Sequence, residues 1–188
     1  MKKRIRVQGL LIVTGVTALL FFYPYLFAQN RGVVPTSLGV LLVLCGYYFR
    51  IVARGLKAEL NPDGKTLITQ GVYALTRNPM YLGTLLIGSG LVMALFQWWV
   101  GVIFILVYLA IYLPQMDKEN RILRKRFQED FNKYCQDTPK FFPGIKMIMT
   151  RPPFLYLKLK PRWLKKELPS LSLTLIFLAG FKLWGALR

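Results

Sequence analysis

The chain has 188 residues, of which 54% are hydrophobic and 14% aromatic, and it carries 26 basic against 8 acidic residues. The length suits a single domain, and a net charge of +18 would be typical of a soluble nucleic-acid binder. Here the charges are separated from long apolar runs, which favours an integral membrane protein without a nucleic-acid partner. The absence of histidine excludes a histidine-based triad or general base, and we predict no metal site.

Four uncharged stretches predict the membrane-spanning helices. Residues 7–30 contain 24 positions without a charge, and residues 32–49 contain 18. Residues 78–116 contain 39, which is enough for two crossings of about 20 residues each. The Trp98–Trp99 pair fits the turn between them, because tryptophan favours the membrane interface. The last stretch, 168–181, has only 14 residues and is expected to form a fifth span, with a position in the interface as the alternative.

The first two predicted helices are joined by a short loop that contains Arg31. Val7–Ala28 is interpreted as an uncleaved span and not as a signal peptide, because its apolar run is long and lacks a small-x-small cleavage site. The second helix is predicted over Val34–Ala53. A tight hairpin of two helices, Pro79–Phe96 and Trp99–Leu113, follows after a polar loop, and Pro114 is expected to mark its exit from the membrane.

A separate charged helix is predicted over Gln115–Tyr134. Leu123, Phe127 and Phe131 recur every four residues and form one apolar face, with Glu119 one turn before it. The predicted fold class is therefore all-α, an integral membrane helical bundle of about five transmembrane helices with a cytoplasmic amphipathic helix and a cofactor pocket. We predict one membrane domain, made of a first helical hairpin (1–54), a core (55–145), and a basic tail with a C-terminal helix (146–188).

The distribution of lysine and arginine predicts the orientation. The N-terminal segment has four such residues, the segment 50–77 has five and the segment 118–166 has fourteen, whereas the opposing loops hold only Arg31. The positive-inside rule therefore places the N-terminus and both basic segments in the cytoplasm. Much of the positive charge is then expected to contact anionic lipid headgroups of a membrane, most simply a prokaryotic inner membrane.

Three features on this basic side could carry chemistry. The run from Arg77 through Asn78 to Pro79 opens a helix, and a helix start beside an arginine can bind an anion; alternatively Asn78 only caps and Arg77 only anchors. Glu119 is directed towards an apolar face, with a surface salt bridge to Arg121 or Lys125 as the alternative. The third is an aromatic group that could equally anchor the chain at the interface, namely Tyr73, Tyr81, Tyr134, Phe141 and Phe142.

Together these features suit a zwitterionic ligand with an additional positive centre. S-adenosylmethionine is one such ligand, since it has a carboxylate, an amine and a sulfonium that aromatic faces attract. Other ligands share this description.

Two sequence blocks resemble a known family. The first runs Lys65-Thr66-Leu67-Ile68-Thr69-Gln70-Gly71-Val72-Tyr73 and then Arg77-Asn78-Pro79-Met80-Tyr81-Leu82-Gly83, and the second comprises Glu119, Leu123, Phe127, Tyr134 and Pro139-Lys140-Phe141-Phe142-Pro143. Together they resemble the isoprenylcysteine carboxyl methyltransferases and their bacterial, phospholipid methyltransferase-like relatives. The resemblance covers about residues 55–145.

This resemblance implies methyl transfer from S-adenosylmethionine to a lipophilic acceptor, prenyl or lipid, at the cytoplasmic membrane face. The catalytic residues would be Arg77, Asn78 and Glu119. Carried over by position, the cofactor contacts would be Lys65, Thr66, Leu67, Ile68, Tyr73, Asn78, Pro79, Met80, Tyr81 and Glu119.

The chain departs from the family pattern at several positions. Asn78 stands where the family usually has histidine, and Gln128 where it has glycine. Gln115 occupies the place of an arginine implicated with the substrate in eukaryotic members, and Arg121 or Arg124 could compensate for it. Two alternative functions are an NADPH-dependent membrane reductase of the sterol-reductase-like type and a non-catalytic lipid-binding membrane protein.

Overall fold

The computed structural model describes residues 32–143, 159–165 and 167–186, with side chains up to Leu183. The predicted first helix and most of the predicted basic tail lie outside these ranges. Every regular element within them is helical, in agreement with the predicted class. In chain order they are α1 (Val33–Leu60), a 3-10 helix (Gly71–Ala74), α2 (Pro79–Leu95), α3 (Trp98–Asp137), α4 (Pro161–Leu164) and α5 (Leu168–Ala186).

Helices α1 and α2 pack through glycines that allow their backbones to approach closely. A Cβ atom added to Gly39 would lie 2.6 Å from the carbonyl oxygen of Gly90, and one added to Gly46 would lie 2.6 Å from that of Gly83. Real side chains do not tolerate such distances to backbone atoms. The glycines of α2 therefore serve close helix packing.

Helix α3, of 40 residues, runs through Pro114, where the sequence predicted a break between two helices, and is kinked instead at Gln128. Pro114 lies inside it, so the prediction that the hairpin helix ends near this proline was wrong, whereas the predicted exit from the membrane at this point stays a prediction. A proline removes only one helical hydrogen bond, and both flanking sequences favour a helix. The backbone departs from helical geometry further along, at Gln128, which has φ 38° and ψ −108°.

Polar contacts hold α5 against α1. The hydroxyl of Tyr47 lies within hydrogen-bonding distance of Ser170 Oγ (2.9 Å) and Thr174 Oγ1 (2.8 Å), and Lys182 Nζ donates to Thr36 Oγ1 at 2.9 Å. The carboxylate of Glu167, just before α5, pairs with α1 as well. The C-terminal helix is thus an integral part of the bundle.

Two of the described helices, α1 and α3, are long and apolar enough to cross a membrane. Helix α2 and the stretch Leu168–Leu183 of α5 are shorter apolar helices. Many apolar side chains of α3 between Val102 and Ile111 are exposed, a distribution that suits contact with lipid more than with water. The predicted count of five spans stays a prediction.

Candidate active site

A cavity of about 540 Å³ lies where the C-terminal part of α1, the N-terminal end of α2 and the middle of α3 meet. Its volume falls within the range of about 300–1,000 Å³ that is usual for small-molecule sites. The lining comprises Arg50, Lys57, Asn61, Gly64, Thr66, Leu67, Ile68, Tyr73, Arg77, Asn78, Pro79, Met80, Tyr81, Thr84, Tyr112, Glu119, Leu123, Arg126 and Tyr134.

A hydrogen bond joins the two sequence blocks across this cavity. The phenol of Tyr81, in the first turn of α2, donates to Glu119 Oε1 on α3 at 2.6 Å. The predicted proximity of these two residues is therefore confirmed. None of the ion pairs within the described ranges includes Glu119, so its carboxylate faces the cavity and not a surface cation.

Asn78 has a different structural role from the one its position suggests. Helix α2 begins at Pro79 with Asn78 as the residue before it, as predicted, but the Asn78 side chain makes no capping hydrogen bond. Its amide nitrogen Nδ2 instead donates to the carbonyl oxygen of Lys140 at 2.7 Å. The interpretation of Asn78 as a side-chain cap was wrong, because a neighbouring loop carbonyl competes successfully for the same side chain.

The segment after α3 is fastened to the start of α2 by further hydrogen bonds. The Arg77 backbone N–H donates to the carbonyl of Pro139 at 3.0 Å, and the buried hydroxyl of Thr76 donates to that of Phe141 at 2.7 Å. The Arg77 guanidinium contacts Cys135 Sγ at 2.6 Å. These bonds close one side of the cavity and hold Arg77 in its wall.

Two tyrosines of the cavity lining are held by hydrogen bonds to backbone carbonyls. Tyr134 donates to the carbonyl of Tyr73 at 2.6 Å, and Tyr73 donates to the carbonyl of Ala53 at 3.4 Å. Burial, and then the nearby carboxylate of Glu119, raises the pKa of Tyr73 well above its ordinary value. Its phenol therefore stays protonated and neutral at any physiological pH.

The loop before the 3-10 helix is held over the cavity from two directions. Within the loop, the Asn61 side chain accepts a hydrogen bond from the Thr66 N–H at 3.1 Å. From α3, the guanidinium of Arg126 donates to the carbonyl of Gly64. The backbone of Gly64 has φ 69°, which favours glycine at this turn.

The structure brings nearly all the predicted site residues together. Arg77, Asn78 and Glu119, predicted to be catalytic, all line the cavity. Of the ten predicted cofactor contacts, nine also line it: Thr66, Leu67, Ile68, Tyr73, Asn78, Pro79, Met80, Tyr81 and Glu119. Lys65 is exposed and does not line the cavity.

Several lining residues were missed by the sequence analysis. Arg50 and Lys57 are seven residues apart on α1, and this spacing on one helical face was the available signal. Tyr112 and Glu119 have the same spacing on α3, but the break expected at Pro114 concealed it. The wrong boundary therefore hid the continuity between the apolar half of α3 and the cavity.

An apolar groove of about 530 Å³ adjoins the cavity between α2 and α3. Thr84 and Tyr112 line both spaces, so the groove and the cavity are direct neighbours. The ring of Tyr112 lies 4.3 Å from that of Tyr108 and 5.4 Å from that of Tyr81, measured between ring centroids. A continuous aromatic wall thus joins the hydrocarbon-lined groove to Glu119.

Comparison with known proteins shows which sequences this chain is similar to. A sequence model of the family described as phospholipid methyltransferase matches residues 34–130, just over half of the chain. The cobalt-zinc-cadmium resistance protein CzcN of Cupriavidus metallidurans is 34% identical over 141 residues, which are 72% of this chain and 62% of that protein. The chain thus matches less than two thirds of its curated relative's length. No solved structure matches the chain.

Proposed function

Because the chain belongs to the phospholipid methyltransferase family, we propose that it is a membrane methyltransferase that uses S-adenosylmethionine and methylates a lipophilic acceptor. The resemblance predicted from the two sequence blocks is confirmed at the level of the family. The proposal is carried by one observation: Tyr81 and Glu119 meet inside a cavity that adjoins an apolar groove.

The residues present suit S-adenosylmethionine. Glu119 contributes a negative charge and Tyr73, Tyr81, Tyr112 and Tyr134 contribute aromatic rings, and both features attract a cationic centre. Cationic side chains in the same lining can pair with a carboxylate, and the first turn of α2 has backbone N–H groups without helical partners. The predicted contact of Lys65 stays a prediction.

When bound, the cofactor supplies a methyl group on a positively charged sulfur. Its chemistry would be methyl transfer to an oxygen or nitrogen of the acceptor, with the cofactor left as a neutral thioether. The protein's contribution would be to align the two reactants and exclude water. In this proposal Glu119 and the aromatic rings hold the cation, Arg77 binds an anionic group, and Asn78 fixes the loop beneath them.

The acceptor would reach the cavity through the groove from the bilayer. The groove is lined almost wholly by apolar and aromatic side chains, so it can hold a hydrocarbon chain while the reacting group lies near Glu119. With the basic segments in the cytoplasm, transfer would take place at the cytoplasmic face. The choice between a prenylated carboxylate and another lipid acceptor is open to experiment.

Cofactor binding tests the proposal without knowledge of the acceptor. For protein purified in detergent, we expect S-adenosylmethionine and its demethylated product to raise the melting temperature. The stabilisation should reach about 2.7 kcal/mol at a ligand concentration of one hundred times Kd. Glu119→Gln should remove most of it, whereas Glu129→Gln, an exposed carboxylate on the same helix that does not line the cavity, should retain it.

Other ligands distinguish the alternatives. Stabilisation by NADPH in place of S-adenosylmethionine would favour a reductase, and the absence of stabilisation by either would favour a non-catalytic lipid-binding protein. If S-adenosylmethionine binds, transfer of its labelled methyl group into a total lipid extract would identify the acceptor.

A further inference from the structure

One arginine stands at the junction of the cavity and the groove with its hydrogen-bonding capacity incompletely used. Arg50, on α1, donates through NH1 to Thr84 Oγ1 at 2.8 Å, and Thr84 lines both spaces. The Nε atoms of Arg50 and Arg77 are both buried without a hydrogen-bond partner among the described residues, which is energetically costly, and of the two arginines only Arg50 is bonded to Thr84.

The positive charge of Arg50 is only weakly compensated. Its NH2 lies 3.5 Å from Glu167 Oε1, whereas Arg54 reaches the same oxygen at 2.6 Å and donates a hydrogen bond to it. One carboxylate is thus shared by two arginines, and the shorter contact belongs to Arg54. The Arg50 side chain is 28% exposed, so its charge is screened less than that of a surface arginine.

The surrounding packing directs this side chain past α2. A Cβ atom at Gly83 would lie 2.7 Å from Cγ of Arg50. Glycine at this position therefore leaves room for the arginine stem between the two helices. The last glycine of the first sequence block accordingly serves both helix packing and the placement of Arg50.

The charge balance of the cavity indicates what Arg50 could bind. The lining contains four cationic side chains, Arg50, Lys57, Arg77 and Arg126, against the single carboxylate of Glu119. Such a lining favours an anionic acceptor over a cationic one. Arg50 is bonded to Thr84, which also lines the groove. An amphiphile whose anionic head binds Arg50 could therefore place its hydrocarbon chain in the groove between α2 and α3.

We propose that Arg50 selects the acceptor by binding its carboxylate or phosphate while the acceptor's aliphatic chain occupies the groove. The planar guanidinium suits both of these anions, since each presents two oxygens to it. This inference rests on the proposed function for the identity of the reaction, but the binding it describes can be measured alone. It assigns Arg50 the role of a specificity-determining residue, and neither Arg121 nor Arg124 lines the cavity.

Three amphiphiles with the same chain test the proposal: dodecanoate, dodecyl phosphate and dodecanol. Their binding is measured by calorimetry on the full chain in neutral maltoside micelles, with empty micelles as the blank. We expect at least one anion to bind at least about ten-fold more tightly than the alcohol. A preference confined to dodecanoate indicates a carboxylate acceptor, and one confined to dodecyl phosphate indicates a phosphate.

Substitutions test whether Arg50 causes the preference for an anionic amphiphile. Arg50→Gln should abolish it, Arg50→Lys should retain part of it, and Arg124→Gln, which removes an equal charge outside the cavity, should leave it unchanged. Equal binding of all three amphiphiles to the unaltered chain would overturn the proposal, as would an unchanged preference in Arg50→Gln. If Arg50→Gln does not fold, Arg50→Lys decides, because a full preference there would contradict a guanidinium-specific site.

The same preparations separate this inference from the proposed function. Melting with S-adenosylmethionine is measured on each variant that shows a change in amphiphile binding. Loss of anion preference with intact cofactor stabilisation supports the role of Arg50. An Arg50-dependent anion preference without cofactor stabilisation would sustain the anion site while contradicting the methyltransferase.

Discussion

The two faces of α2 differ in how closely they approach their neighbours. On the α1 side, glycines bring the helix backbones so near that a single added carbon would meet a carbonyl oxygen. On the α3 side, the same helix leaves a groove of about 530 Å³ that adjoins the cavity beside Glu119. The comparison teaches that the closed face provides a rigid support, and that the open face is where a lipophilic molecule can enter.

The largest effect is expected from filling the closed face. Gly90→Ala places a Cβ atom in steric conflict with the carbonyl oxygen of Gly39, so the helices must separate. We expect a loss of about 3 kcal/mol in the free energy of unfolding. Gly101→Ala is the matched control, because its Cβ would lie at an ordinary 3.6 Å from Val92. Thermal unfolding in detergent compares the two, and equal stabilities would contradict the tight packing.

Filling the open face should lower methyl transfer to the acceptor and leave the fold intact. Val107→Trp adds bulk to the groove, and we expect methyl transfer to a lipophilic acceptor to fall about thirty-fold, or about 2 kcal/mol. Stabilisation by S-adenosylmethionine should not change. Leu106→Trp is the control on the next residue, which is exposed but does not line the groove. An equal loss of transfer in both variants would argue against the groove as the acceptor route.

A smaller effect is expected at the end of the open face, where Tyr81 donates to Glu119. Tyr81→Phe removes the hydroxyl that orients the carboxylate, and cofactor affinity should fall about ten-fold, since a hydrogen bond to a charged group contributes about 1.5 kcal/mol. Calorimetry on Tyr81→Phe, Glu119→Gln and the double variant separates the pair. The second substitution should cost little once the first is made; fully additive losses would show that the two residues act independently.

The smallest effect, on the stability of the protein, is expected at the bend of α3. Gln128 has a positive φ of 38° in the region that L-residues adopt at a cost, and the resembled family has glycine at this position. Gln128→Gly should therefore stabilise the protein by about 1 kcal/mol, after allowance for the greater flexibility of the unfolded chain. Gln128→Ala should bring no such gain, because alanine retains the strain. Chemical unfolding measures both, and a destabilised glycine variant would contradict strain at this bend.

Part of the site could be predicted because it depends on short-range sequence. The first turn of α2 and the loop before it supply contiguous residues, so identifying their pattern also identified Asn78, Pro79, Met80 and Tyr81 as neighbours. Glu119 was predicted through the second block. Arg50 was not, because its seven-residue spacing from Lys57 on one helical face suits two residues that anchor a helix at the membrane surface as well as two that line a cavity.

The amino-acid sequence by itself determined the helical class, the apolar and basic segments, the start of α2 and the family. Each of these depends on composition, helical period or contiguous residues, which can be determined without knowledge of the fold. Only the tertiary structure decided that α3 continues through Pro114, that Asn78 bonds to a loop carbonyl, and that Arg50 shares Glu167 with Arg54. These features depend on which distant groups compete for the same hydrogen-bond or ion-pair partner, and that competition is settled when the helices pack together.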